Sequence, residues 1–269
     1  QFMLHPLGED HARTEIVALR PAPVQVNYLG YTGTMGAEFI DYMLTDTFIT
    51  PPGHEADYTE ALVYLPECWL VHDRKRQAAK QTPARKEYGL PKDGFVFCCF
   101  NSTHKITPPV FDVWMRVLKE VPASVLWLLE SNSGVSANLR REAKARGVNP
   151  DRLVFAPKIP VAQHLARYRM AGLFLDTVPF NAHLTASEAL WAGLPVLTCP
   201  GETFASRVAG SLLTAIGLPE LITHSLADYE ALALRLARNP SELARLRERL
   251  AKNRLTTPLF DSERYTRHL

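Results

Sequence analysis

The chain has 269 residues, 46% of them apolar, enough to build one large α/β domain or one domain plus part of another. Its formal net charge of +2 is too small to argue for nucleic acid or an anionic membrane as a partner. Cys68, Cys98, Cys99 and Cys199 form no CxxC pair, so they read as free thiols in a reducing cytoplasm rather than as zinc ligands.

Along the chain, Ala12 to Leu19 reads as a short helix that stops before Pro21, and Val24 to Tyr28 as a β-prone run. Gly30, Gly33 and Gly36 then make a flexible turn. Tyr42 to Thr45 reads as a strand, Glu55 to Leu62 as a helix and Val63 to Leu65 as a strand. The polar stretch His72 to Ala84, with the basic cluster Arg74-Lys75-Arg76, has no period and reads as a solvated connector. From there the pattern becomes regular. Phe95 to Phe100 is a continuous apolar run of the buried-strand type. Thr107 reads as an N-cap with Pro108 at the first helical position, followed by apolar residues at helical spacing from Val110 to Leu118. Strands at Val125 to Leu129, Leu153 to Phe155, Leu173 to Leu175 and Val196 to Thr198 then alternate with four helices. These are expected at Ser136 to Arg146, Val161 to Arg169, Thr185 to Ala192 and Phe204 to Ile216. The tail from Leu226 to Leu269 reads as helices only. This alternation predicts an α/β, doubly wound parallel sheet. No run is long and apolar enough to span a bilayer, and no signal-peptide pattern opens the chain. The chain starts at Gln1 and ends within a helical pattern, which predicts a fragment of something longer.

Ligands of open parallel sheets bind outside the carboxyl ends of the strands. Two polar loops stand at such ends: Asn101 to Lys105, and Asp176 to His183 leading to the helix at Thr185. A helix N-terminus offers free N–H groups and a positive dipole end, which together favour phosphate. Thr185 and Glu188 also fit a capping box, and for Glu188 capping and ribose binding stay equally open. Lys105 could neutralise a leaving diphosphate, although spacing alone reads it as a solvated lysine. His164 alone reads as a packed or surface residue, and His104 and His183 lack metal-ligand spacing. No Asp-x-Asp pair, Walker A loop, GxGxxG or GxSxG motif is present. Pattern therefore reaches a phosphate-binding helix end and no sugar.

The runs ALRPAPVQVNYLGYTGTMGAEFIDY, CCFNSTHKITP, VPASVLWLL, LFLDTVPFNAHLTASEALWAGLPVLT and CPGETFASRVAGSLL resemble, in order, the catalytic region of the O-GlcNAc transferases, bacterial members especially. The resemblance implies a GT-B glycosyltransferase with two Rossmann-like lobes. Residues 1–75 would be the C-terminal part of the first lobe, 85–253 the UDP-sugar-binding lobe and 254–269 a C-terminal helix. It implies that Lys105 contacts the diphosphate and assists departure of UDP, with Ser102 near the same phosphates. His183 would lie beside the uridine, Leu184 and Thr185 at the pyrophosphate, Glu188 at the ribose. Ile159 and Arg167 would lie around the uracil, His164 would be a pocket histidine, and Leu29 and Gly30 would form the turn near the sugar. Three residues depart from the family: Leu184 for a Thr, Val161 for a lysine over the ribose, Thr32 for a proline.

The implied reaction is an inverting transfer of GlcNAc from UDP-GlcNAc to protein Ser or Thr hydroxyls without metal or cofactor. Implied partners are a protein or peptide acceptor and helical repeats upstream of Gln1; nucleic acid and membrane are not. The expected location is cytoplasmic, and the chain taken alone is expected to be inactive. The related SPINDLY group, which uses GDP-fucose, is a rival that the PGETFASR run at Pro200 to Arg207 disfavours. A hexose transferase acting on Asn and a catalytically dead interaction module are the others.

Overall fold

The computed structural model describes residues 13–269 and contains two parallel sheets. Gln1 to Ala12, including the expected start of the first helix, lie outside the described residues. The first sheet has the order β1-β2-β3, with β1 at Val26–Asn27, β2 at Tyr42–Thr45 and β3 at Ala61–Tyr64. A short helix, α1 (Thr14–Ala18), precedes it. The second sheet has the order β6-β5-β4-β7-β8. Its strands are β4 (Val96–Cys99), β5 (Val125–Leu129), β6 (Leu153–Ala156), β7 (Leu173–Leu175) and β8 (Val196–Leu197). All pairings are parallel. Helices α2 (Pro108–Glu120), α3 (Ser133–Ala145), α4 (Val161–Arg167) and α5 (Leu184–Trp191) connect the strands. Helices α6 (Val208–Ala215), α7 (Leu226–Arg238), α8 (Pro240–Thr256) and α9 (Ser262–His268) follow.

The continuous apolar runs of β4 and β5 are buried because helices cover both faces of this sheet. In the first sheet Val26, Tyr42 and Val63 remain exposed. The two sheets are joined through Asp46, at the end of β2, whose buried carboxylate accepts from Trp69 N at 2.7 Å and from Ser211 Oγ on α6 at 2.5 Å. α6 can approach this closely because residue 210 is glycine: a β-carbon there would sit 2.2 Å from the Phe48 ring. The C-terminal helix returns to the first sheet, where Tyr265 OH donates to Trp69 O at 2.7 Å and His268 meets Glu67 at 2.8 Å.

Several expectations shift. The helix expected over Glu55 to Leu62 is a single 3-10 turn at Glu55–Asp57, and Leu62 belongs to β3. The cause is tertiary: the Glu60 carboxylate takes hydrogen bonds from Thr34 Oγ1 and Met35 N, both 2.6 Å, which hold the chain extended against the glycine-rich turn. α3 starts at Ser133, earlier than expected, because the Asn132 side chain caps it by accepting from Val135 N at 2.9 Å. The helix expected over Phe204 to Ile216 is broken at Arg207, whose guanidinium bonds Gly201 O and Phe48 O, both at 2.9 Å. Thr107 does precede α2, yet its hydroxyl donates to Val178 O at 2.7 Å instead of capping the helix. The boundary expected at residue 254 falls inside α8, and a separate α9 begins at Ser262.

Candidate functional site

The strand order reverses between β4 and β7: β4 leads outward to β5 and β6, β7 the other way to β8. A crevice opens at such a switch point, outside the carboxyl ends of the strands. The loops after β4 and β7 meet there and are knitted together. Asn101 Nδ2 donates to Asp176 Oδ1 at 3.2 Å and to Thr177 Oγ1 at 2.7 Å. Asp176 Oδ1 also accepts from the amides of Thr177 (2.8 Å) and Ala182 (2.6 Å), and Oδ2 from Thr198 Oγ1 at 2.7 Å. This carboxyl is fully buried, and burial pushes its pKa up to about 6 against the pull of those donors.

The knitted loops present Lys105 and the start of α5 to the same space. Lys105 Nζ donates to Asn181 O at 2.9 Å, three residues before the helix, and lies 3.7 Å from the centre of the Phe180 ring. Burial lowers its pKa to about 8, opposed by Asp176 and Cys99. His183 is the N-cap residue of α5, but no side chain caps the helix. Its Nε2 donates to Ala205 O at 3.1 Å, and its ring packs on Phe180 and on the edge of Trp69. Burial, then the Lys105 charge, lowers its pKa to about 3, so the imidazole is neutral. The expected Thr185–Glu188 capping box is absent. The helix begins one residue earlier, at Leu184, and Glu188 is drawn to Arg76 instead. Leu184 is 46% exposed, so the end of the helix is open. Uncapped amides at an open helix end, with an ammonium hydrogen-bonded to the loop before it, are an arrangement chemically suited to an anion.

A second cluster stands alongside. On α4, Arg167 is 0% exposed, and among the described residues no carboxylate lies at ion-pair distance from it. Its guanidinium donates to Pro157 O at 2.7 Å and to His164 Nδ1 at 2.5 Å, and lies over the Phe100 ring at 4.4 Å. Burial, then Arg167, lowers the His164 pKa to about 4. Across from them, Glu188 pairs with Arg76 at 2.7 Å and lies 3.7 Å from His164 Nε2. Tyr168 ties the clusters together: its hydroxyl reaches Thr185 O at 3.5 Å and its ring packs on Phe100 and His164. Ile159 is half-buried in the loop before α4, and Val161 is exposed. Ser102 is exposed and opens the 3-10 turn Thr103–Lys105, where Lys105 N donates to Ser102 O at 3.0 Å.

Leu29 and Gly30 stand apart from both clusters. Their turn follows β1, with Leu29 at φ 68, a left-handed conformation strained for leucine. Gly30 lines a cavity of about 360 Å³ with Val17, Gln25 and Ile40. A chain of rings links the turn to His183, Tyr28 on Trp69 at 6.4 Å and Trp69 on His183 at 6.3 Å. Sequence reasoning places Asn101 and Asp176 in the two candidate loops without a role for either, and leaves Arg76 in a solvated connector. The Asp-Thr pair closing β7 was a usable signal for Asp176; Arg76, 112 residues from Glu188, left none. Among the described residues no group of three or more His, Cys, Asp or Glu side chains could hold a metal ion. No helix there is long and apolar enough to cross a membrane.

Glycosyl transferase family 41 matches the chain over residues 9–83 and 75–269. A probable UDP-N-acetylglucosamine–peptide N-acetylglucosaminyltransferase, SEC of Arabidopsis thaliana, is 43% identical over 96% of this chain and 27% of its own length. Its counterpart named SPINDLY in Petunia hybrida is 34% identical over 94% of this chain and 27% of its own length. An O-GlcNAc transferase of Thermobaculum terrenum superposes with a TM-score of 0.86 at 35% identity, covering 96% of this chain and 48% of that one. The glycosyltransferase WaaG, at 15% identity and a TM-score of 0.60, shares the fold. The chain thus spans about a quarter of the length of these curated relatives. The family match and the 43% identity give one conclusion: the chain belongs to glycosyl transferase family 41.

Proposed function

We propose that this chain supplies the donor-binding side of an inverting glycosyltransferase that moves GlcNAc from UDP-GlcNAc to Ser or Thr hydroxyls of a protein or peptide. The observation that carries the reading is the open, uncapped start of α5 beside Lys105 Nζ. The diphosphate rests on the amides of Leu184 and Thr185, a contact that needs only the backbone of Leu184. The ammonium of Lys105 sits beside the bridging oxygens. As the acceptor hydroxyl attacks the anomeric carbon and gives up its proton to a base that this reading does not assign, the bond to UDP breaks and negative charge grows on the diphosphate. Fixed N–H dipoles and the ammonium stabilise that charge in place, which is where such a site gains most of its rate. No divalent ion enters this reading, because the protein supplies the positive charge itself.

The nucleoside lies along the second cluster. Ile159, His164 and Arg167 line the base, neutral His183 packs beside the uridine, and Glu188 accepts from a ribose hydroxyl. Ser102 lies near the phosphates, and Leu29 and Gly30 toward the sugar. The acceptor, upstream helical repeats and a cytoplasmic location complete the proposal; the relatives' names support a peptide acceptor. Isothermal titration of the chain with UDP and with GDP tests it. UDP is expected to bind and GDP to bind at least about tenfold more weakly, a difference of about 1.4 kcal/mol. Equal or stronger binding of GDP overturns the donor assignment.

A further inference from the structure

Glu188 is bracketed by two elements far apart in sequence. Arg76, on the segment joining the two sheets, donates from NH1 to Glu188 Oε1 at 2.7 Å. Its backbone is fixed by Trp191 Nε1, which donates to Arg76 O at 2.9 Å. The same segment is pinned onto α4 by Ala79 N donating to Ala162 O at 2.8 Å, and by Arg169 donating to Ala79 O at 3.0 Å. On the other side, His164 Nδ1 accepts from Arg167, so the neutral imidazole carries its proton on Nε2. That proton faces Tyr168 OH at 3.3 Å and Glu188 Oε2 at 3.7 Å. Oε1 is therefore spent on Arg76, while Oε2 keeps a single long contact.

We propose that Arg76 is a positioning residue for the nucleotide: it holds the Glu188 carboxylate ionised and oriented, leaving Oε2 to accept a hydrogen bond from a ribose hydroxyl. The inference rests on the crevice being a nucleotide site. A mostly buried carboxyl favours its neutral, donating form, and a neutral Glu188 would present a hydroxyl where an acceptor is needed. Burial does raise the Glu188 pKa, and Arg76 is the largest opposing influence, followed by Arg167. The charged and titratable groups around Glu188 are Arg76 from the connector and His164, Arg167 and Tyr168 from α4 and its 3-10 extension. His72, on the connector, bonds the neighbouring Ser187 at 2.8 Å. His164 and His72, each lowered to about 4, stay neutral above pH 6, so neither adds a charge beside Glu188 there.

UDP titration calorimetry on this chain, between about pH 6 and pH 8, tests the proposal with Arg76→Ala, Arg76→Lys, Glu188→Gln and the Arg76→Ala/Glu188→Gln double variant. Arg76→Ala is expected to weaken UDP about tenfold at neutral pH, more at the acid end and less at the alkaline end. Arg76→Lys should recover most of the loss. The double variant should bind no more weakly than Glu188→Gln alone, because both changes disable one acceptor. Wild-type-like binding by Arg76→Ala overturns the inference, as does a pH-independent loss that adds to that of Glu188→Gln. If the unaltered chain binds no UDP, the crevice reading falls and takes this proposal with it; if it binds UDP and Arg76→Ala is silent, only the proposal falls. Unchanged melting curves of Arg76→Lys and Glu188→Gln exclude unfolding as the cause of a loss.

Discussion

The two ends of the crevice are built from different material. The end at the start of α5, proposed for the phosphates, is backbone: amides of α5, carbonyls of the loop before it and the buried Asp176 knot that fixes both loops. The end proposed for the nucleoside is long side chains, Arg76, His164, Arg167 and Glu188, reaching toward one another from a connector and two helices. Backbone held by buried hydrogen bonds is rigid, and its amides are the same whichever side chain stands at 184. Side-chain charge networks are adjustable and depend on distant partners.

The largest effect should come from the knot. Asp176→Ala leaves the donors of Asn101, Thr198 and two amides unpaired in the interior, and should cost about 3–5 kcal/mol of stability, read by urea unfolding. A loss below about 1 kcal/mol would dissolve the contrast between a rigid end and an adjustable one.

Lys105→Met comes next. Losing a charge-assisted contact to the diphosphate should weaken UDP by about 10–100-fold and leave uridine unaffected. The pH sign follows from the lowered pKa of about 8. Because the folded pKa lies below the unfolded one, the charged lysine destabilises the fold at neutral pH, and the penalty fades as pH rises from about 8 toward about 10.5. Lys105→Met should therefore raise Tm at pH 7, while wild-type UDP affinity falls as pH passes about 8. A variant that binds UDP normally sinks the phosphate assignment.

Arg167→Met sharpens the other end. A buried guanidinium with no carboxylate partner at ion-pair distance among the described residues is replaced by an apolar chain, which should change stability by less than about 1.5 kcal/mol. Affinity for uridine and UDP alike should fall by about fivefold to tenfold. A loss confined to UDP would move Arg167 to the phosphates. The smallest effect belongs to Ser102→Ala: the side chain is exposed, and UDP affinity should change by less than about threefold.

The two loops that meet at Lys105 and the start of α5 are legible in the sequence because their signals are local. Apolar runs at Phe95–Phe100 and Leu173–Leu175 gave the strands, and the polar residues after each marked the loops. What pattern could not show was how the ends are satisfied. Thr185 and Glu188 have the spacing of a capping box, yet a charge 112 residues away takes Glu188. Thr107 has the residue type of a cap, yet a carbonyl of the neighbouring loop takes its hydroxyl. In the first sheet, Glu55 to Leu62 has helical composition, but Glu60 is bound by a turn 25 residues earlier. In each case a long-range hydrogen bond outweighs a local preference of a few tenths of a kcal/mol to about 1 kcal/mol.

Amide chemical shifts of the isotope-labelled chain, followed during a UDP titration, address the diphosphate's position most directly. The N–H signals of Leu184, Thr185 and Ala186 should move furthest, with the effect lost in Lys105→Met at the same UDP concentration. Saturable UDP binding that leaves those three amides in place would contradict the account.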